Sequence, residues 1–134
     1  MSVRKGDRSQ GKLEVLDKAR FLKEYSLNLI KNSKVFPKST RWLYASPIAT
    51  EVRNASVQIR KANSLPFPEF FKERRGCQML AHASLNSMYD LIEDAMLAGY
   101  ISSDRAGYWT SLVKDTDEKL KAWSNSDKAR FEKS

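Results

Sequence analysis

Side chains able to do covalent chemistry are scarce in this chain. His82 is the only histidine and Cys77 the only cysteine. Nucleophilic and acid–base catalysis need groups that activate one another at hydrogen-bond reach. Cys77 falls on an apolar stripe, where a thiol behaves as a small hydrophobe. His82 lies one position past that stripe and reads as a packing or edge residue. Asp115, Asp117 and Glu118 are interspersed with Lys114, Lys119 and Lys121, the pattern of a solvated, charge-paired helix face. There is no Glu-x-x-His pair of the kind that holds metal in bundles. No glycine-rich phosphate loop is present either. The expectation is a protein without catalytic residues, without a metal site and without a cofactor.

The chemistry that the spacing does favour is ionic. Arg53 and Arg60 stand seven residues apart and so point the same way on a helix. Lys61 flanks them. Lys72, Arg74 and Arg75 cluster shortly downstream, and Lys31, Lys34, Lys38 and Arg41 cluster upstream. Phosphate binding needs several cations on one surface, because affinity grows with the counterions released, and arginine adds bidentate geometry. Arg41, Arg53, Arg60, Lys61, Lys72, Arg74 and Arg75 are therefore the candidate contacts to nucleic acid or to an acidic protein surface. Nothing encodes base reading: no zinc finger, RNP-type strand or clear helix-turn-helix is present.

The charge distribution points the same way. The net charge is +8 and the isoelectric point about 9.7. Residues 1–61 carry +9 and residues 62–134 carry −1. A polarised charge attracts polyanions over a Debye length.

These cations need elements to position them, and the apolar periodicity supplies four helices. The first spans about Lys12–Lys34 on Val15, Leu16, Ala19, Leu22, Leu29 and Ile30, and Pro37 closes it. The second starts at Ser39 or Thr40, both good N-cap types, and runs on Tyr44, Ala45, Ile48, Val52, Ala55, Ile59 and Ala62. Pro47 either bends it or restarts it from Ser46, and a bend is favoured because Trp42, Leu43 and Tyr44 would otherwise form an apolar loop. After the break at Ser64–Pro68 the third helix covers Glu69–Ala98. Its stripe is Cys77, Leu80, Ala81, Leu85, Met88, Leu91, Ile92 and Ala95, with Gly99 at the left-handed position beyond its end. Asp90, Glu93 and Asp94 sit near its C-terminus, where the helix dipole disfavours anions. The fourth helix starts at Ser102 or Ser103 and runs to about Trp123 on Arg105, Tyr108 or Trp109, Leu112, Val113, Thr116, Leu120 and Trp123.

Short links between long helices predict an all-α, up-down-up-down antiparallel four-helix bundle. The bundle spans residues 12–124, between a flexible basic N-terminal arm (1–11) and a polar C-terminal tail (125–134). Aromatics off the main stripes, Phe21, Trp42, Phe70 and Trp109, suggest a second buried face in a homo-oligomer. A single cysteine permits no internal disulfide. The polar first residues read as no signal peptide, and no apolar run is long enough for a membrane span. A cytoplasmic protein without membrane contact is expected.

Three segments carry a family resemblance. Phe36-Pro37-Lys38-Ser39-Thr40-Arg41-Trp42 resembles the F-P-[KR]-x-x-R-[FY] turn of bacterial four-helix-bundle proteins. These include the accessory variability determinants (Avd) of diversity-generating retroelements and the bundle proteins encoded in ribosomal RNA intervening sequences. Leu97-Ala98-Gly99-Tyr100-Ile101-Ser102 is similar to the family's link before its fourth helix. Leu120-Lys121-Ala122-Trp123 stands where Avd proteins usually have Leu-Gly-Gly-Trp, so Lys121 and Ala122 depart from the glycine pair, as Pro47 departs within helix two. The resemblance covers about residues 13–124. It implies a non-enzymatic, basic, ring-like homopentamer that binds a reverse transcriptase and its template-repeat RNA and supports mutagenic complementary-DNA synthesis. The rival expectations are a general nucleic-acid-binding bundle of the intervening-sequence type and an adaptor in another reverse-transcriptase system, such as antiphage defence.

Overall fold

In the computed structural model, the backbone is described for residues 5–133 and the side chains from Glu14 onward. Four long helices account for most of it: α1 (Lys5–Lys31), α2 (Ser46–Ser64), α3 (Phe71–Leu97) and α4 (Ser103–Lys133). Among the described residues there is no strand. Each helix packs on two others, α1 on α2 and α4, and α3 on α2 and α4.

The buried positions explain why these stretches are helices that pack lengthwise. On α4 the seam is Ala106, Trp109, Val113, Thr116, Leu120, Trp123 and Asp127, alternating steps of three and four, with Asp117 also buried beside it. Ala45, Ile48, Val52, Ala55, Ile59 and Ala62 repeat the pattern through α2, as do Arg74, Gln78, Ala81, Leu85, Met88, Ile92 and Ala95 on α3. A period of three and a half keeps one seam facing the neighbouring helices along their whole length. Leu80 is expected on the α3 stripe but stands one residue out of phase, about 100° round the axis, and is 56% exposed. Arg105 is likewise off the α4 seam and exposed, its place taken by Ala106. Trp109, grouped above with the outlying aromatics, is fully buried at the seam's centre. Its indole N–H donates to Ser26 Oγ of α1 at 2.9 Å, which satisfies the polar end of a large buried ring.

Cross-contacts run in opposite order along neighbouring helices. Ser26 meets Trp109, the Lys18 carbonyl accepts from Thr116 Oγ1 at 3.4 Å, and Glu14 pairs with Lys119 at 3.0 Å. Arg74 of α3 reaches Asp127 of α4, whereas His82 reaches Asp117.

The links have local causes. α1 stops at Lys31, ahead of the Lys34 expected, because the Asn32 side chain accepts the Lys34 N–H at 3.0 Å and its carbonyl accepts the Phe36 N–H. At the other end, α1 begins at Lys5, within the segment expected to be an arm; residues 1–4 lie outside the described residues. Extending a helix already nucleated by packing costs little per residue. Neither Ser39 nor Thr40 caps α2 through its side chain; Lys38–Thr40 is a 3₁₀ turn and Arg41–Ala45 a π-helical turn that leads into α2. Pro47 then lies in the first turn of α2, where its missing N–H is least costly. The helical path is continuous through Trp42–Tyr44, so these residues form no loop.

After α3, Gly99 takes φ +87°. Its N–H bonds the Met96 carbonyl at 2.9 Å and the Tyr100 N–H bonds that of Ala95 at 3.1 Å, a Schellman closure. Ser102 Oγ then accepts the Arg105 N–H at 3.1 Å and caps α4. α4 runs ten residues past the expected stop, and the segment read as a polar tail is a working part of the bundle: Asp127 is buried and Phe131 stacks on Phe71 at 4.1 Å.

The seam assignment predicts that Trp109→Ala costs about 3–5 kcal/mol, whereas Leu80→Ala stays within about 0.5 kcal/mol. Urea unfolding followed by far-ultraviolet circular dichroism measures both.

Candidate nucleic-acid interface

The seven expected contacts separate into three groups. Arg53, Arg60 and Lys61 on α2 and Lys72 on α3 are exposed. None of them joins an ion pair with a described residue. The end of α2 and the start of α3 are held together, since Arg74 Nη1 donates to the Leu65 carbonyl at 3.2 Å. Lys61 and Lys72 therefore share one end of the molecule. Arg75 stands beside them, half-buried, with Nη1 buried and unpartnered.

Arg41 belongs elsewhere. It precedes α2, and at about 1.5 Å per residue it lies roughly 28 Å from Arg60 along the axis. Its guanidinium turns to the Lys31 carbonyl at 3.4 Å, closing the C-terminal end of α1.

Arg74 is not a surface contact at all. It is 4% exposed and occupies the first position of the α3 seam. Its Nε and Nη2 each donate to an Asp127 carboxylate oxygen at 2.9 Å. Gln78 Nε2 adds a bond to Asp127 at 3.0 Å and Arg130 Nη2 another at 2.6 Å. The guanidinium lies 5.1 Å from the Trp123 ring centre, and that of Arg130 lies 4.0 Å over Phe67. A bidentate pair with extra donors to the carboxylate is the geometry that offsets desolvation of both charges. Arg74 therefore locks α3 to the end of α4 and offers nothing to a phosphate.

The fold also brings in a cation that the sequence reading passed over. Lys128 is exposed one residue beyond Asp127 and so lies at the same end as Lys61 and Lys72. Its signal was present: the three-four rhythm of Leu120 and Trp123 continues to Asp127, which marks the last turns as helix. Glu69, Glu73 and Glu132 are also exposed near this end, so the cationic character is concentrated along α2 rather than spread evenly.

A second polar cluster lies between α3 and α4. His82 Nδ1 is 2.7 Å from Asp117 Oδ1, and Lys121 Nζ is 3.6 Å from the other oxygen. Asp117 is buried, so it is not part of the fully solvated acidic face expected. Partial burial raises the Tyr89 phenol above its ordinary range, and the carboxylates of Asp117 and Glu118 raise it further. The His82 ring edges the bundle and is held by its Asp117 contact. Among the described residues no group of three or more potential ligands is arranged to hold a metal ion. No helix there is long and apolar enough to cross a membrane.

The chain matches no known family model, no curated protein and no solved structure. The reading of its surface rests on the residues themselves.

Removing Arg74 leaves Asp127 buried without its main partner. Arg74→Met is expected to cost about 3–5 kcal/mol, read from urea midpoints. The double variant R74M/D127L is expected to recover much of that loss. Equal losses in single and double variants would mean that the pair does not act as a unit.

Proposed function

We propose that this protein is a non-catalytic accessory factor of a diversity-generating retroelement, binding its reverse transcriptase and template RNA in support of mutagenic complementary-DNA synthesis. In this reading the helices form an up-down-up-down antiparallel bundle. Copies assemble into a ring, burying exposed aromatics such as Phe21 and Phe70.

The observation that carries the nucleic-acid part is the free cationic row on α2. Arg53 and Arg60 project from one side and Lys61 extends the row, with no acidic partner among the described residues. Unpaired, exposed guanidinium groups keep both their charge and their bidentate donors for phosphate. The segments on which the resemblance to the Avd family rests also have places in the bundle. Two of the segments that carry it meet in space: Phe36, fully buried, lies 5.9 Å from the Tyr100 ring, and Tyr44 lies 5.1 Å from the same ring. The arginine of the first segment, Arg41, secures the end of α1. In the third segment Trp123 packs beneath Arg74. These residues support the bundle, which leaves the α2 cations as the binding residues proper, joined by Lys72 and Arg75.

Binding of this kind follows shape and charge, so affinity falls steeply with salt. The variant R53E/R60E is expected to abolish retention of a structured RNA in a mobility-shift assay at low ionic strength, with helical circular dichroism unchanged. Wild-type affinity in that variant would remove the α2 row from the interface.

A further inference from the structure

The acids near the end of α3 are left unanswered by the fold. Asp90 and Asp94 are one turn apart, like-charged, and close to the negative pole of the helix dipole, an arrangement that costs stability unless a cation relieves it. Both are exposed, and neither has an ion pair with a described residue; Glu51 on α2, half-buried, has none either. Arg41, the nearest cation in sequence to the start of α2, turns instead to the Lys31 carbonyl. A chain of net charge +8 thus keeps a local anionic surface.

These carboxylates rim an apolar groove between the start of α2 and the end of α3. One hollow of about 460 Å³ is lined by Leu43, Tyr44, Leu91, Asp94, Leu97 and Ala98. A second of about 440 Å³ holds Glu51 and Asp90 and shares Leu91 with the first. Leu43 is 51% exposed, Leu97 72% and the neighbouring Trp42 72%. Large side chains left this open beside one another mark an interaction surface.

We propose that this groove docks a cationic amphipathic helix of a partner protein. The rim decides the charge of the occupant, because carboxylates on both walls repel phosphate and attract lysine or arginine. The floor decides its other face, because covering the open Leu43 and Leu97 and the half-buried Leu91 takes apolar side chains. Its length fits too: Ser87 to Leu97 spans about 15 Å, three turns of a docked helix. The groove lies at the opposite end of α2 from Arg60 and Lys61, so this inference does not rest on the RNA-binding reading.

The test uses the full chain and two labelled synthetic helices of about eighteen residues. Both carry leucine on one face; the other face is lysine in one and glutamate in the second. Fluorescence anisotropy is expected to show the lysine helix binding at least about tenfold more tightly. D90K/D94K is expected to reverse that preference, and Leu97→Ser to weaken the lysine helix about tenfold, with RNA retention weakened in neither variant. Absence of binding, equal binding of the two helices, or full lysine-helix affinity in D90K/D94K would overturn the proposal. A mass measurement showing self-association that D90K/D94K dissolves would also overturn it, assigning the groove to a second copy.

Discussion

A buried ion pair fixes how this molecule divides its charges. Arg74 and Asp127 sit on seams that are otherwise almost wholly apolar, and each would be costly there alone. Together, with Gln78 and Arg130 filling out the carboxylate, they form a polar plug at one end of the bundle. The plug binds three elements: α3 through Arg74, the last turns of α4 through Asp127, and the α2–α3 link through the Leu65 carbonyl. It withdraws one arginine from a basic cluster and leaves Arg53, Arg60 and Lys61 of α2 exposed.

The opposite end is closed by rings rather than charges. Phe36, Tyr44 and Tyr100 brace the α1–α2 and α3–α4 links against each other, and the Gly99 turn delivers Tyr100 to that contact. The two ends thus differ in how they are closed, one by a buried ion pair and the other by packed rings.

Much of the fold was legible from spacing. The α2 seam follows the expected stripe closely, since its buried positions are all alanine or β-branched residues in step. The failures share a cause. Arg74, Gln78 and Asp127 hold seam positions, but their polarity disguised them as surface, although the three-four rhythm passed through each. Leu80 failed in the opposite sense, apolar by type and outside by phase. The exposure expected of the basic residues was legible for Arg53, Arg60, Lys61 and Lys72, because it follows directly from their offset from the seam. It was not legible for Arg41 and Arg74, because carbonyl closure and ion pairing depend on partners distant in sequence. The break at Pro47 resolved through a π-helical turn, a backbone adjustment that side-chain pattern does not encode.

The three tryptophans occupy three different environments. Trp109 is sealed in the centre, Trp123 lies under a guanidinium at the ionic end, and Trp42 stands 72% exposed beside the acidic groove. Intrinsic fluorescence therefore reads the molecule in sections. A soluble quencher reaches Trp42 first, so emission from one end can be dimmed while the interior still glows, and no dye need be attached to watch either.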